Sequence, residues 1–570
     1  MAERFKDLRP AGCDVRLLGI EGTAHTLGVA LVDSTGATLA AAKNTIRPPG
    51  NEGIHPREAA DHHARAVGPL VRQVLDEGKT GSDQLAGVAF SQGPGLGPCL
   101  RVAASAARAL SASQRIPLCG VNHAIAHLEM ARWTTHLAAP LCLYVSGGNT
   151  QVLVPRRHRY EILGETIDIG LGNAFDKFGR ACGLGWYAGP IIETLAARAA
   201  ADGAPFRDLP YTVKGMDVAF SGIVTAATHL HTSGMPLPEV CHSLQETAFA
   251  MLMEVAERGL AATGAGALTV TGGVACNGRL RQMLESLGKE WGIPVGLPPA
   301  ATCVDNGEMI ALVGLHQLES DVTLPIDQSG VIPRYRTDVP RLPWLEGLEH
   351  QAPSNESRWR GAEAEVIPVQ WQGRPSVLKH RLLKASRHPR IDLMQRRMRT
   401  RSEARVMTAA AAGSIPVPAL WDVEVDSTSL LIERLEATLL EELFWENVDG
   451  LDRLDPDETR HLARHLGATI AHLHALGIIH GDLTGRNVMI SGVGPDCRVW
   501  LIDWGLGRFT QEVEDRAVDL RVMLHWCRLR GSLGNTFAAE VERGYHAVLP
   551  EEWDRVAGRL QEIETRMRYA

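Results

Sequence analysis

The sequence lacks the features that mark membrane, secreted and zinc-ribbon proteins. It has no run of about 18 apolar residues and no charged-then-apolar leader, so we expect a chain that neither spans a membrane nor leaves the cell, and we place it in the cytoplasm. Its 10 cysteines include no C-x-x-C pair, which argues against a zinc ribbon and against a disulfide framework.

The charge balance excludes a protein that binds nucleic acid over its whole surface. The formal net charge is -8, from 58 Lys and Arg against 66 Asp and Glu. Any RNA contact must therefore come from a local basic patch, and we predict no DNA partner.

The length and the pattern along the chain predict more than one domain. At 570 residues the chain exceeds one ordinary hydrophobic core. From Arg16 to about Leu315, short apolar strands alternate with amphipathic Ala-rich stretches and glycine turns, which is an α/β pattern. We predict a first domain at 1–325 with lobes at about 1–143 and 144–325, a proline-rich linker at 326–350, and a second domain at 351–570.

A histidine pair in the first half is a candidate metal site. His123 and His127 follow Asn122 at the start of a predicted helix, where their spacing places both imidazoles on one face, as chelation of one metal requires. The spacing alone also fits surface histidines. A zinc protease would carry a glutamate between the histidines as its general base, and this sequence has none.

Three glycine-rich turns follow predicted strands in the first half, at 19–28, 144–150 and 270–277. Glycines in such a position let backbone N–H groups approach a phosphate closely, although each turn taken singly also fits an ordinary tight turn. Their recurrence is expected where two lobes hold one nucleotide between them.

Together these segments resemble the universal tRNA threonylcarbamoyl transferase family, the catalytic core of the KEOPS complex, in its archaeal and eukaryotic branch. The resemblance covers nearly all of residues 16–330. Its motifs are Gly22-Thr-Ala-His-Thr, Gln92-Gly-Pro-Gly-Leu-Gly, the His123 and His127 pair, 144–150, Gly172-Asn-Ala-Phe-Asp-Lys, 214–222 and Asp305-Asn306. The fold it implies is α/β, the two-lobed ATPase fold of actin, Hsp70 and sugar kinases.

The resemblance implies a ligand set and a substrate site. The metal ligands would be His123, His127, Tyr144 and Asp305, a nitrogen and oxygen set that suits iron(II) or zinc, and the family implies Fe2+. Threonylcarbamoyl-AMP is expected to contact Tyr144, Val145, Ser146, Gly147, Gly148, Asp176, Gly189, Glu193 and Asn277.

The activity implied is transfer of the threonylcarbamoyl group from threonylcarbamoyl-AMP to N6 of the adenosine 3′ of the anticodon, in tRNAs reading codons that begin with A. Because the donor is an activated mixed anhydride, no serine or cysteine nucleophile is needed. tRNA and the other small KEOPS subunits are the expected partners. The alternative is an actin-fold metabolite kinase fused to a regulatory serine/threonine kinase, which has no use for His123, His127 and Tyr144 around one metal.

The second half carries the loops of a protein kinase. Asp482 lies five residues before Asn487, and Asp503 lies in Leu501-Ile-Asp-Trp-Gly, which are the order and spacing of a catalytic loop and a magnesium loop. We predict Asp482 as the base or water-positioning carboxylate, and Asn487 and Asp503 as Mg2+ ligands. No Ala-Pro-Glu motif or long activation segment follows, which favours an ATPase or self-phosphorylating role.

An ATP site is predicted upstream of these loops. Lys379 ends a predicted strand and can pair the ATP phosphates, with Glu403 on the next helix as its candidate partner, although Glu363 also lies near the expected nucleotide loop. The ATP contacts are predicted at Gly361, Ala362, Glu363, Ala364, Lys379 and Glu403. Over roughly 352–565 the chain resembles the small atypical serine/threonine kinase subunit of KEOPS.

A basic stretch lies between Lys379 and Arg405, where ten Lys and Arg accompany only two acids, Asp392 and Glu403. It is either a charged, solvated helix face or a track for the tRNA backbone.

Overall fold

A computed structural model describes residues 15–46, 53, 55–156, 158–347, 359–361, 363–445, 456–492, 497–528 and 530–569. The chain divides into two compact units, the first made of Met1–Pro353 with Ala385–His388 and the second of Ser354–Lys384 with Pro389–Ala570. In the described part of the chain, no helix is long and apolar enough to cross a membrane.

The first unit is a mixed α/β structure. Its strands are β1 (Arg16–Glu21), β2 (Thr26–Asp33), β3 (Thr38–Thr45), β4 (Gly87–Gly93), β5 (Leu118–Asn122), β6 (Leu141–Val145), β7 (Thr150–Arg156), β8 (Arg159–Glu165), β9 (Val213–Lys214), β10 (Asp217–Val218), β11 (Leu268–Thr271) and β12 (Val295–Gly296). Its helices are α1 (Pro56–Glu77), α2 (Gly97–Gln114), α3 (His123–Thr135), α4 (Leu171–Ala181), α5 (Gly189–Ala201), α6 (Ser221–Thr232), α7 (Leu237–Thr263), α8 (Gly278–Trp291), α9 (Ala300–Cys303) and α10 (Gly307–Glu319).

Two five-stranded sheets of the first unit share one topology. Their strand orders are β3-β2-β1-β4-β5 and β8-β7-β6-β11-β12. In each sheet the first three strands are antiparallel neighbours, and the last two strands join in parallel. The repeated topology agrees with the predicted two-lobed α/β fold.

Helix α10 lies against the first sheet, although its residues fall within the predicted second lobe at 144–325. It contacts β1, β2 and β4. The approach is so close that a Cβ added at Gly19 would lie 2.4 Å from the backbone nitrogen of Ala311, so only glycine fits there. Helix α10, near the end of the domain, therefore completes the first lobe. The sequence did not predict this packing, because an apolar helix carries no indication of which sheet it will cover.

We expected the recurring glycine turns to face each other from opposite lobes, but the turns at 144–150 and 270–277 do not. The turn at 270–277 follows β11, which pairs in parallel with β6, so it lies in the same sheet as the turn at 144–150. Gly272 has φ +93°, and a Cβ there would lie 2.4 Å from the carbonyl oxygen of Val145. Only the turn between β1 and β2 belongs to the other sheet.

The described part of the predicted linker packs against the first unit. Leu342 and Leu345 are buried in a core cluster with residues of α3 and α10. The backbone N–H of Ile332 donates to the carbonyl of Gln92 at 2.7 Å. The proline-rich composition of this segment thus accompanies a packed surface layer up to residue 347.

The second unit has a strand-rich part followed by a helix-rich part. Its strands are β13 (Trp359–Arg360), β14 (Glu365–Trp371), β15 (Arg374–His380), β16 (Leu420–Glu424), β17 (Ser429–Glu433), β18 (Thr438–Leu439), β19 (Ile478–Ile479), β20 (Val488–Ser491), β21 (Arg498–Leu501) and β22 (Arg508–Phe509). Its helices are α11 (Pro389–Ala412), α12 (Leu440–Trp445), α13 (Pro456–Ala475), α14 (Val513–Arg528), α15 (Gly531–Val548) and α16 (Pro550–Tyr569). The sheet order β13-β14-β15-β17-β16 is antiparallel throughout.

Gly485 and Arg486, which directly precede Asn487, have structural roles in the second unit. A Cβ added at Gly485 would lie 2.0 Å from the ring of Trp526, so this position requires glycine. The Nε of Arg486 pairs with Glu441 at 2.6 Å, so the arginine is held within the unit.

Candidate functional sites

The start of α3 brings the two predicted histidine ligands together. The side-chain oxygen of Asn122 accepts hydrogen bonds from the backbone N–H groups of Ala124 (3.0 Å) and Ile125 (3.2 Å), which caps the helix. The helix therefore begins at His123, and His127 lies one turn later on the same face. The two imidazole centroids are 4.7 Å apart.

Asp305 joins this pair from the segment that enters α10. Its Oδ1 lies 3.5 Å from Nε2 of His123 and 3.3 Å from Nε2 of His127. The ligand atoms of the three residues all lie within 4.8 Å of one another. Tyr144 is buried beside them, with its ring centroid 5.5 Å from that of His127.

Glu21 is a buried member of this cluster that the sequence analysis missed. Its Oε2 lies 3.0 Å from Nδ1 of His123, and its Oε1 accepts a hydrogen bond from the backbone N–H of Thr23 at 2.7 Å. Because a carboxylate only accepts, Nδ1 carries the proton toward Glu21, and Nε2 is the ring nitrogen that faces Asp305 and can bind a metal in place of its own proton. One feature of the sequence could have indicated Glu21. It is an acidic residue at the end of β1, where the residues between it and Arg16 are all uncharged.

The electrostatics of the cluster fit a bound cation. Burial lowers the pKa of His123, but the Glu21 carboxylate and Asp305 outweigh burial and raise the pKa to about 9. Burial favours the neutral form of Asp305, yet the two histidines hold the pKa of its carboxyl well below its usual range. Burial also raises the pKa of the Tyr144 hydroxyl. A divalent ion can take the place of the protons that hold such a nitrogen and oxygen set together.

The glycine turn after β6 rests on the start of α4. The carbonyl of Ser146 accepts from the N–H of Gly172 at 3.1 Å, and that of Gly147 accepts from Asn173 at 3.0 Å. Gly147 and Gly148 are exposed at the tip of the turn. The N-terminal amides of α4 thus fix the turn, while its glycines remain accessible to a phosphate.

The other predicted substrate residues anchor neighbouring turns. Asp176 on α4 accepts from the backbone N–H of Ala188 at 2.7 Å, and burial raises the pKa of its carboxyl. Gly189 begins α5, and Glu193 one turn later accepts from the N–H of Gly278 at 2.7 Å.

Asn277 precedes that same Gly278 and caps α8. Its Oδ1 accepts from the N–H groups of Arg279 (2.9 Å) and Leu280 (3.1 Å), and its Nδ2 donates to Gln245 at 2.9 Å. Glu193 and Asn277 are thus brought together at the start of α8.

Lys379 lies at the centre of an ion-pair network in the second unit. Its Nζ is 2.6 Å from Glu403 Oε1 and 2.7 Å from Asp503 Oδ1. Burial lowers the pKa of Lys379, but Asp503 and Glu403 outweigh burial and raise it, so the amine is charged. The structure pairs Lys379 with Glu403 rather than with Glu363, which instead pairs with Arg381 (3.0 Å).

The two predicted magnesium ligands have distinct local structures. Nδ2 of Asn487 donates to the backbone oxygen of Asp482 at 2.8 Å and to its Oδ2 at 2.9 Å, which leaves the amide oxygen of Asn487 for a cation. Asp503 has φ +60°, a left-handed conformation that is uncommon for non-glycine residues. Trp504, which follows Asp503, is fully buried.

Asp519 on α14 holds the predicted catalytic loop. Its Oδ2 and Oδ1 accept from the backbone N–H groups of His480 and Gly481, each at 2.8 Å. His474 Nε2 lies 3.2 Å from Oδ2. The sequence analysis quoted no role for Asp519, because its partners lie far from it along the chain.

The predicted nucleotide loop is described in part. Ala362 lies outside the described residues. The N–H of Gly361 donates to the carbonyl of Ala364 at 2.9 Å, which forms a tight turn. Glu363 of this turn pairs with Arg399 at 2.9 Å as well as with Arg381.

Most of the basic stretch is engaged in ion pairs. Lys379, Arg381 and Arg399 are buried, each against at least one acid. Arg387, which is counted with the first unit, is buried near Glu254 and 3.1 Å from Glu257. These ion pairs favour a charged helix face over a continuous tRNA track along the stretch, because the buried charges already have acidic partners. The exposed members are Arg390, Arg401 and Arg405.

Comparison with known proteins covers both units. The family described as tRNA N6-adenosine threonylcarbamoyltransferase (TsaD) matches residues 36–312, and the lipopolysaccharide kinase (Kdo/WaaP) family matches residues 363–533. A Methanobrevibacter smithii protein named probable bifunctional tRNA threonylcarbamoyladenosine biosynthesis protein is 41% identical over 97% of this chain and 98% of its own length. A Methanocorpusculum labreanum protein of the same name is 42% identical over 97% of this chain and 99% of its own.

The chain belongs to the family of bifunctional tRNA threonylcarbamoyladenosine biosynthesis proteins. This chain carries a domain of the transferase family and a domain of a kinase family, and it spans nearly the full length of these bifunctional relatives. It therefore acts in threonylcarbamoyladenosine synthesis, with tRNA as substrate, a metal-dependent transferase domain and a kinase-like domain that binds ATP. The alternative of a metabolite kinase with a regulatory kinase is wrong.

Solved structures are similar to parts of the chain. Full-length HypF in its phosphate- and nucleotide-bound form covers 54% of this chain and 56% of its own, at 13% identity and a TM-score of 0.38. WaaP in complex with acyl carrier protein covers 37% of this chain and 89% of its own, at 16% identity and a TM-score of 0.28. The full-length relatives carry the assignment.

Proposed function

We propose that the first unit transfers the threonylcarbamoyl group from threonylcarbamoyl-AMP to N6 of the adenosine 3′ of the anticodon, in tRNAs that read codons beginning with A. The observation that carries this proposal is the cluster of His123, His127 and Asp305 within one chain of the transferase family. Its metal would lie in the same unit as the exposed Gly147 and Gly148 turn, as a donor with a carbamoyl end and a phosphate end requires.

The resident metal in this proposal is Fe2+, with zinc as the other ion that the donor set suits. His123, His127, Asp305 and Tyr144 would hold it. When bound, the ion supplies Lewis acidity and orientation to the threonylcarbamoyl group. Glu21 fixes the tautomer of His123 through their 3.0 Å contact, so that one ring nitrogen stays available as a ligand.

The chain's own residues position the adenylate. Backbone N–H groups of Gly147 and Gly148 stabilise negative charge on the departing AMP phosphate. Asp176, Gly189, Glu193 and Asn277 surround its nucleoside, where Asp176 and Glu193 bond ribose hydroxyls or the adenine edge. The donor is already activated, so positioning of the amine against the carbamoyl carbon supplies much of the acceleration.

The second unit is proposed to bind ATP with Mg2+. Lys379 would pair the phosphates, Asn487 and Asp503 would hold the ion, and Asp482 would position the attacking group. Only residues 504–512 separate Asp503 from the start of α14 at Val513, too short a segment to hold a peptide substrate as an activation loop does. We therefore infer an ATPase role in preference to phosphorylation of many proteins.

ATP hydrolysis serves a step other than bond formation, because the threonylcarbamoyl group is already activated as its adenylate. We infer that it resets tRNA engagement between turnovers. Threonylcarbamoyl-AMP would be made by a separate cytoplasmic enzyme. The other small KEOPS subunits would also be separate cytoplasmic proteins.

The test of this coupling uses the full-length protein, metal, threonylcarbamoyl-AMP, unmodified tRNA, ATP and the small KEOPS subunits. Asp482→Asn should lower multiple-turnover yield of the modified nucleoside and leave the first turnover intact. Equal multiple-turnover rates in both proteins would refute the coupling, while both site assignments could stand.

A further inference from the structure

An aromatic pair, made of the partly buried Trp186 and the exposed Tyr187, occupies the connection between α4 and α5. Trp186 and Tyr187 are adjacent in sequence, and their ring centroids are 5.9 Å apart with an interplanar angle of 56°. Tyr187 is 55% exposed, a large fraction for a bulky ring next to a candidate active site. Nothing in the metal cluster or in the adenylate contacts proposed above uses either ring.

The backbone of this connection is held in an unusual conformation. Tyr187 has φ +60°, in the left-handed region that bulky residues rarely occupy. Gly183 and Gly185 just before it also have positive φ, at +76° and +83°. Asp176 holds the turn by accepting from the N–H of Ala188 at 2.7 Å and from the backbone of Tyr187. The strain is thus maintained by the partly buried carboxylate of Asp176, and its effect is to present an aromatic ring to solvent.

The pair borders the turn between β1 and β2, which contacts the candidate metal cluster through Thr23 and His123. Trp186 meets His25 edge to face, with centroids 6.0 Å apart. His25 belongs to the turn between β1 and β2, two residues after Thr23, whose N–H donates to the buried Glu21. The His25 ring interacts electrostatically with both Asp305 and Asp176. Trp186 is therefore linked through His25 to the turn beside the metal cluster, while Tyr187 next to it is held by Asp176.

We propose that Trp186 and Tyr187 form a stacking platform for a purine base of the tRNA substrate. The proposal rests on the proposed transfer reaction. An exocyclic amine can reach a buried reaction centre only if its base leaves the stacked anticodon loop, and proteins hold such unstacked bases against aromatic faces. Stacking compensates for the lost base–base contact without needing a hydrogen-bond pattern.

The platform fits the RNA base better than the adenine of the adenylate. The adenylate's nucleoside is assigned to Asp176, Gly189, Glu193 and Asn277. Of these, Glu193 and Asn277 meet at Gly278, whereas Asp176 holds the Tyr187 turn through backbone groups and not through either ring. Trp186 instead contacts the turn of the other sheet. Tyr187 is exposed to solvent, and a macromolecular substrate must approach from the solvent.

The direct test uses the full-length protein and an anticodon stem-loop RNA with 2-aminopurine at the target position. This base lacks the reactive 6-amine, so binding is observed without transfer. We expect stacking to quench its fluorescence in the wild type and in Tyr187→Phe, which keeps the ring. Quenching should be lost in Tyr187→Gly, which removes the ring and relieves the left-handed strain, so that misfolding of the turn does not explain the loss.

Steady-state transfer identifies which base stacks. Trp186→Ala and Tyr187→Gly should raise KM for tRNA about tenfold and leave KM for threonylcarbamoyl-AMP unchanged. Leu39→Ala, an exposed apolar residue on β3 that is 39% accessible, is the matched control and should change neither. A rise in KM for the adenylate alone would overturn the proposal in favour of the adenylate's adenine.

Unchanged quenching and KM in Tyr187→Gly would overturn the platform altogether. Absence of product from the wild-type protein would instead count against the proposed function. The two failures are therefore distinguishable.

Discussion

Glu21 and His123 are joined by a 3.0 Å contact between Oε2 and Nδ1, and Glu21 is completely buried. The contact links the end of β1 to the first residue of α3, two elements about a hundred residues apart in sequence. It determines which nitrogen of His123 faces Asp305. The ligand geometry of the cluster therefore depends on a carboxylate that is not itself a predicted ligand.

Glu21→Gln should weaken metal binding by about 10- to 100-fold, the usual effect of removing a second-layer carboxylate behind a histidine ligand. Metal affinity can be measured by competition with a chelator of known affinity. Glu58→Gln, an exposed acid on α1, removes the same charge elsewhere and should have no effect. Equal affinities for the two variants would contradict the role of Glu21.

Glu403→Gln should reduce ATP hydrolysis by about 10- to 100-fold, because one hydrogen bond to a charged group contributes about 1.5–3 kcal/mol. The charged Lys379 would then remain paired with Asp503 alone and be drawn away from its place beside both carboxylates. Phosphate release gives the rate. First-turnover threonylcarbamoyl transfer serves as the control and should not change, and a parallel loss there would indicate global misfolding.

Two neighbouring arginines should respond differently to substitution. Arg399 is buried and pairs with Glu363, whereas Arg397 pairs with Asp426, and these two side chains are 42% and 87% exposed. Arg399→Ala should lower the free energy of unfolding of the second unit by about 3–5 kcal/mol, and Arg397→Ala by less than about 1 kcal/mol. The measurement is the unfolding transition that added ATP shifts, and similar shifts for both variants would refute the contrast.

Acid should destabilise the second unit through Asp519. Burial favours its neutral form, but His474 and the N–H of His480 outweigh burial and hold the pKa of the carboxyl below its usual range. Its contribution to stability is therefore complete above the unfolded-state pKa of about 3.9 and is lost as pH falls through the lower folded-state value. Denaturant midpoints of the ATP-shifted transition should fall more steeply below about pH 4 in the wild type than in Asp519→Asn, and parallel profiles would contradict this.

Local sequence motifs predict that neighbouring members of each candidate site lie close together, and in the structure they do. His123 and His127 are one helical turn apart, and Asp482 and Asn487 share one loop, so their spacing alone brings them together. Lys379 and Glu403 needed the assumption of a kinase-like order of strand and helix, which the structure has.

Other features depend on packing that spacing does not encode. Glu21 and Asp519 act on residues far along the chain, so no motif joins them to their partners. The return of α10 to the first sheet is visible only in contacts such as that of Gly19 with Ala311. Likewise, the charges of Arg381 and Arg399 in the basic stretch looked available to RNA until their buried acids were located.

The most direct test of the central claim is a transfer assay on the full-length protein. Purified protein is stripped of metal, reloaded with Fe2+ or Zn2+, and incubated with threonylcarbamoyl-AMP, unmodified tRNA and the small KEOPS subunits, after which the RNA is hydrolysed and its nucleosides are analysed. We expect N6-threonylcarbamoyladenosine from the reloaded wild type and none from the stripped protein or from His123→Ala. Reloaded wild type that makes no modified nucleoside, or His123→Ala that makes as much as the wild type, would contradict the account.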